Sequence, residues 1–62
     1  MFTVPLSRRE EAVALLVVNG DTTKEIAAKL GISYRTVECH RSNILTKLCA
    51  KNTAEMVRKF MQ

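Results

Sequence analysis

The chain has 62 residues, with 10 Lys and Arg against 6 Asp and Glu, and a formal net charge of +4. This length fits one domain near the lower limit for a core without disulfides or metal, and it leaves no room for a catalytic cleft. The charge suits a polyanionic partner, but many small proteins share it. The longest apolar run, Ala12 to Val18, is far shorter than a membrane span of roughly 18 residues, and no signal-peptide pattern opens the chain. We therefore predict one cytoplasmic domain over residues 1–62, without membrane association.

The two cysteines, Cys39 and Cys49, are ten residues apart and have no further Cys or His at the spacing of a zinc site. Such residues are most simply reduced thiols. We predict no metal and no cofactor.

Three helix starts are marked by a capping side chain that precedes a Glu by three residues. The pairs are Ser7 with Glu10, Thr22 with Glu25, and Asn52 with Glu55. In chain order, the expected helices run from about Arg8 to Asn19, from Thr23 to Leu30, from the cap Ser33 to about Leu48, and from Thr53 to Met61. No segment alternates with period two, so the predicted fold class is all-α, a four-helix bundle-like domain.

The first helix carries more apolar residues than one face can bury. Val13, Leu16 and Val17 share a face, whereas Leu15 and Val18 fall outside it. A lone domain is therefore expected to expose Leu15 and Val18.

The second and third helices have the spacing of a helix-turn-helix over residues 23–42. Ala27 is small where two helices cross, Gly31 can adopt the positive φ of a tight turn, and Val37 faces back from the next helix. Chance can produce an Ala-Gly-Val pattern, but the capping signals and the net charge strengthen the interpretation.

The third helix has two different faces. At 100° per residue, Val37, Ile44 and Leu48 share one face, with Arg41 beside them. The other face, with Glu38 at its edge, carries Arg35, Cys39, Ser42 and Thr46. A helix in the major groove presents a few residues of its first two turns to base edges, which these side chains could do. An ordinary solvated face is the alternative interpretation.

The fourth helix has apolar residues on two sides. Ala54, Val57 and Met61 lie on one side, and Met56 and Phe60 lie on the other. One side can close the core while the other contacts a second copy, and the sequence leaves open which side does which.

Three segments together resemble the DNA-binding domain of the LuxR-type, or GerE-type, transcription regulators. They are LSRRE at 6–10, TKEIAAKLGIS at 23–33 and TVECHRSNILTKL at 36–48, within a resemblance from Leu6 to about Val57. The resemblance implies binding of double-stranded DNA, with a recognition helix at about 34–48, as a homodimer through the fourth helix. It also implies, as partners, RNA polymerase or an N-terminal regulatory domain, since most members carry this domain behind a receiver or ligand-binding domain.

The resemblance assigns roles to single residues. Lys24, Thr36, His40 and Lys47 match positions that usually approach phosphates, and Glu38, Cys39 and Ser42 match positions that reach bases. Arg35 joins the base contacts because it shares their helix face. The expected dimer contacts are Ala54, Val57 and Met61. His40 as a packed structural residue, and Lys47 as a favourable charge at a helix C-terminus, remain alternatives.

Two departures from the family pattern concern the third helix. Glu38 stands where Lys is usual; it cannot hold a phosphate and favours a donor such as cytosine N4. Cys49 stands where the family usually ends the helix with Gly. A cysteine in a left-handed cap would cost about 1 kcal/mol relative to glycine.

Two other functions stay open at this point. The apolar fourth helix suits a protein-interaction module, and a sigma-factor-like promoter-recognition domain shares a similar helical arrangement. An enzyme is disfavoured because no nucleophile, base and orienting group cluster: His40 and Cys39 are adjacent and point about 100° apart.

Overall fold

The computed structural model describes residues 5–62, which form four helices and, within that range, no strand. The helices are α1 (Arg8–Val18), α2 (Thr23–Leu30), α3 (Tyr34–Lys47) and α4 (Thr53–Met61). The all-α class is confirmed, and the expected bounds differ by one residue at the ends of α1 and α3. Residues 1–4 of the predicted 1–62 domain lie outside the described residues. None of the described helices is long and apolar enough to cross a membrane.

Reciprocal caps begin α1 and α2 as the sequence predicts. Ser7 Oγ accepts from the Glu10 N–H at 3.2 Å, and Glu10 Oε1 accepts from the Ser7 N–H at 2.9 Å. Thr22 and Glu25 form the same pair of bonds, at 3.1 and 2.8 Å. Each cap satisfies backbone N–H groups that the first helical turn leaves free.

The start of α4 differs from the predicted reciprocal box. Asn52 accepts from the Glu55 N–H at 2.9 Å, but the Glu55 carboxylate accepts from the backbone N–H of Lys51. The cap residue is more extended here, with φ of −156° at Asn52 against −71° at Ser7. We attribute the different partner to that backbone rotation, and the helix still begins where predicted.

The core lies between α1 and α3, each of which packs against all the other helices. The buried apolar residues that form it are Val13, Ala14, Val17, Ile26, Val37, Ile44, Leu48 and Met56. In α1, Leu15 is 59% exposed, as expected, whereas Val18 is only partly exposed. Each helix therefore contributes to one small core, and α3 is fixed at its centre.

The α2–α3 turn has the geometry of a helix-turn-helix. Gly31 ends α2 with φ of +68°, in the left-handed region that glycine adopts without strain. Ile26 and Val37 are fully buried, and the half-buried Ala27 packs against the core. These contacts orient α3 so that its opposite face is exposed.

The α3–α4 connection is held by a left-handed residue and by two cross-helix bonds. Cys49 has φ of +55°, and the bonds from Cys49 N–H to Thr46 O and from Ala50 N–H to Leu45 O complete a Schellman motif. The Cys49 carbonyl also accepts from Lys59 Nζ at 2.7 Å. The Arg41 guanidinium donates to Thr53 Oγ1 at 3.0 Å. Helix α3 therefore ends in a left-handed cap, the conformation in which the sequence predicts strain at Cys49.

The structure resolves the two sides of α4. Met56 is buried and Phe60 packs against the core, so this side closes the domain. On the other side Ala54 is exposed and Met61 is 68% exposed, with Val57 half-buried between them.

Candidate nucleic-acid interface

The exposed face of α3 brings together the four predicted base-contact residues. Ser33 caps α3 by accepting from the Thr36 N–H at 3.0 Å, and burial of Val37 and Ile44 fixes the helix rotation. The face carries Arg35, Glu38, Cys39 and Ser42, all exposed. They line one open depression of about 450 Å³. It lies over the first turns of α3, the part of a helix that can reach base edges in a major groove.

Tyr34 belongs to the same surface, and the sequence reasoning missed it. Its side chain is 57% exposed and lines the depression beside the four predicted residues. The available signal was its spacing from Glu38: residues four apart lie on the same side of a helix.

Lys24 and Thr36, two of the predicted phosphate contacts, lie in the first turns of α2 and α3. Lys24 is exposed and forms no ion pair with another described residue. The Thr36 hydroxyl lies 2.8 Å from Ser33 Oγ, next to the first backbone N–H groups of α3. Backbone N–H groups at helix N-termini attract anions, so both positions are suitable for phosphate contacts.

His40 is half-buried, and its Nδ1 is buried with no hydrogen-bond partner among the described residues. The second ring nitrogen of an imidazole, Nε2, can donate a hydrogen bond when it carries the proton. The hydrogen-bonded structural role considered from the sequence lacks support at Nδ1.

Lys47 lies in the last turn of α3 and pairs with α1. Its Nζ is 2.8 Å from Oε1 of Glu10. The Glu10 side chain is 6% exposed and the Lys47 side chain is 31% exposed. The hydrogen bond from Lys47, followed by that from the Ser7 N–H, holds the pKa of Glu10 below its ordinary value. The same oxygen thus serves the α1 cap and the α1–α3 contact. The Lys47 ammonium is therefore already paired with a carboxylate in the protein without DNA.

Among residues 5–62, no group of His, Cys, Asp and Glu is arranged to hold a metal ion, and Cys39 and Cys49 are both free and exposed.

A family model described as bacterial regulatory proteins of the luxR family matches residues 4–60. The chain belongs to this family. The predicted resemblance is confirmed, and the family is one of DNA-binding regulators rather than enzymes.

Several curated relatives are named transcriptional regulatory proteins. TdiR of Thauera aromatica is 47% identical over 57 residues, which are 92% of this chain and 25% of TdiR. FixJ of Azorhizobium caulinodans is 51% identical over 53 residues, 86% of this chain and 25% of FixJ. UhpA of Escherichia coli is 46% identical over 55 residues, 89% of this chain and 28% of UhpA. The chain thus spans about a quarter of the length of these relatives.

The fold is similar to that of VqmA from Vibrio cholera in the crystal structure of a VqmA–ligand–DNA complex. The TM-score is 0.89 at 28% identity, over 98% of this chain and 27% of that chain. With the family match, this identifies the chain as a DNA-binding domain of a LuxR-family transcription regulator.

Proposed function

We propose that this domain binds double-stranded DNA sequence-specifically, with α3 in the major groove and Arg35, Glu38, Cys39 and Ser42 at base edges. The observation that carries the proposal is the single exposed surface that these four side chains form. The relative VqmA, which shares the fold, was crystallised with DNA. The Glu38 carboxylate only accepts hydrogen bonds, so the amino group at cytosine N4 or adenine N6 is its natural target, and Arg35 suits guanine.

Phosphate contacts are assigned to Lys24, Thr36, His40 and Lys47. Lys24 and Thr36 lie at helix starts, and His40 is a half-buried residue of α3. Lys47 has to share its ammonium between Glu10 and a phosphate. Its contribution to DNA affinity is therefore smaller than that of Lys24.

The proposed assembly is a homodimer through the exposed side of α4, at Ala54, Val57 and Met61. A two-fold pair of α3 helices would match an inverted repeat. In a whole regulator, RNA polymerase or an N-terminal regulatory domain would be the further partner. Acting on bacterial DNA places the protein in the cytoplasm, and no catalytic activity is expected. Use of the α4 side for dimerisation also accounts for the apolar residues that suggested a protein-interaction module.

The function is tested by selecting bound sites from a random duplex pool at low salt. For Glu38→Lys we expect a different preferred site, because a base contact carries roughly 1 to 3 kcal/mol of discrimination. Glu11→Lys, at an exposed position of α1, makes the same charge change as a matched control. If Glu38→Lys ranks the selected sites in the same order as the unmodified protein, Glu38 does not read bases.

The phosphate contacts are tested by the salt dependence of affinity. Lys24→Ala should weaken binding to all duplexes about equally and reduce the slope of log affinity against log salt by about 1. Lys47→Ala should reduce the slope by less, because Glu10 already holds its ammonium. An unchanged slope for Lys24→Ala would assign this charge to the solvated surface.

A further inference from the structure

The depression on α3 is more apolar than the polar base contacts require. Its lining includes the ring of Tyr34 and the side chain of Cys39. Of the other three lining residues, Arg35 and Glu38 carry their polar groups at the ends of methylene stems, so their carbon atoms can face the depression, and Ser42 adds one small hydroxyl. Tyr34 leaves a large, partly apolar side chain 57% exposed among the residues that line this depression.

DNA offers one apolar group in the major groove. Base pairs display hydrogen-bond donors and acceptors there, and the only exception is the C5-methyl group of thymine. We propose that the depression receives the C5-methyl group of a pyrimidine, which is thymine in unmodified DNA, and that Tyr34 is a specificity-determining residue for it. This inference rests on the proposed function, since it requires α3 to lie in the major groove.

The neighbouring charges support a base edge as the occupant. Glu38 is one turn beyond Tyr34 on the same side of α3, and Arg35 is adjacent. An acceptor and a donor that line the same depression as an apolar ring are complementary to the mixed polar and methyl edge of consecutive base pairs. The polar contacts would fix the register, and Tyr34 would distinguish a methylated pyrimidine from an unmethylated one.

The test replaces each thymine of a selected site by deoxyuridine, one position at a time, and measures affinity at low salt. The two duplexes of each pair carry the same phosphates, so backbone contacts cancel in the ratio. At one position under the first turns of α3, the unmodified protein should bind the uracil duplex about three- to fivefold more weakly than the thymine duplex. This is the ratio expected for burying one methyl group. Tyr34→Ala should bring this ratio close to one, whereas Tyr34→Phe, which keeps the ring, should retain it.

A second variant, Cys39→Ser, tests the apolar character of the depression while leaving Tyr34 unchanged. Cys39→Ser makes the depression more polar at nearly constant size and should lower the same ratio. Circular dichroism and urea midpoints matching those of the unmodified protein establish that each variant is folded.

The outcomes separate the inference from the function beneath it. Sequence-selective binding in which no uracil substitution costs more than twofold overturns recognition of a thymine methyl group by the depression. A ratio that Tyr34→Ala leaves unchanged overturns the role of Tyr34 alone. If replacing cytosine by 5-methylcytosine raises affinity while replacing thymine by uracil does not change it, the assignment of the methyl group to thymine is wrong. A protein that selects no duplex even at low salt contradicts the proposed function itself.

Discussion

Cys49 is a non-glycine residue with positive φ, +55°, at the end of α3. A side chain with a Cβ is strained in this region by about 1 to 2 kcal/mol, because Cβ approaches the carbonyl oxygen. The strain persists because the Schellman bonds and the bond from Lys59 to the Cys49 carbonyl hold the backbone. The residue thus stores strain at the point where the chain turns from the recognition helix to the proposed dimer helix.

Cys49→Gly should therefore stabilise the domain by about 1 kcal/mol, after allowance for the greater chain entropy of glycine when unfolded. The measurement is the midpoint of urea unfolding at constant slope. Cys49→Ala is the matched control, since it removes the thiol but keeps Cβ. An equal midpoint for the two variants would show that the left-handed backbone is not the source of the strain.

At the scale of elements, the Glu10–Lys47 pair joins the start of α1 to the end of α3. The hydrogen bonds from Lys47 and from the Ser7 N–H lower the pKa of Glu10 in the folded state. A carboxyl whose pKa is lowered by folding contributes stability above its unfolded pKa of about 4.3, and this contribution is lost as pH falls through the folded value. The Glu10–Lys47 contact between α1 and α3 therefore contributes stability only while Glu10 is ionised.

Glu10→Gln should reduce the free energy of unfolding by about 1 to 2 kcal/mol near neutral pH, because the bond from the Ser7 N–H becomes neutral and the Lys47 ammonium loses its opposite charge. It should also flatten the decline of stability below about pH 4.3. The decline should not vanish, since the Lys51 N–H lowers the pKa of Glu55 as well. Urea titrations between pH 7 and 3 measure both effects, with Glu11→Gln as the control on the same turn. Equal pH dependence in the two variants would contradict the role of the pair.

The helices could be predicted from sequence because their signals are local. The caps at Ser7, Thr22 and Ser33 and the turn glycine at position 31 fix where each helix begins or ends, within a few residues of the signal itself. The exposed face of α3 followed from helical period alone. The pairing of Lys47 with Glu10 did not follow, because 37 residues separate them and only the packing of α1 on α3 brings them together. Tyr34 was missed although its four-residue spacing from Glu38 was a local signal for the same side of the helix.

For the whole molecule, the exposed apolar residues of α4 and the small size of the domain bear on assembly. Met56 and Phe60 close the core, so Ala54 and Met61 remain available to a second copy. One such helix side is small for an interface, and a contact below about 1,200 Å² is weak in solution. Two half-sites on one duplex would raise the effective concentration of the second copy and populate the dimer.

Binding to an inverted repeat should therefore be cooperative, and Met61→Glu should abolish the cooperativity while leaving half-site affinity and helical content unchanged. Met61 is the better position for the test, because Val57 also packs against the core and a charge there would lower stability as well as dimer contact. Gln62→Glu adds the same charge at the next residue and should keep the cooperativity. Sedimentation of the protein–DNA complex gives the stoichiometry directly. One protein per palindromic duplex at saturating concentration would rule out the dimer, and equal cooperativity in the two variants would assign the contact to another surface.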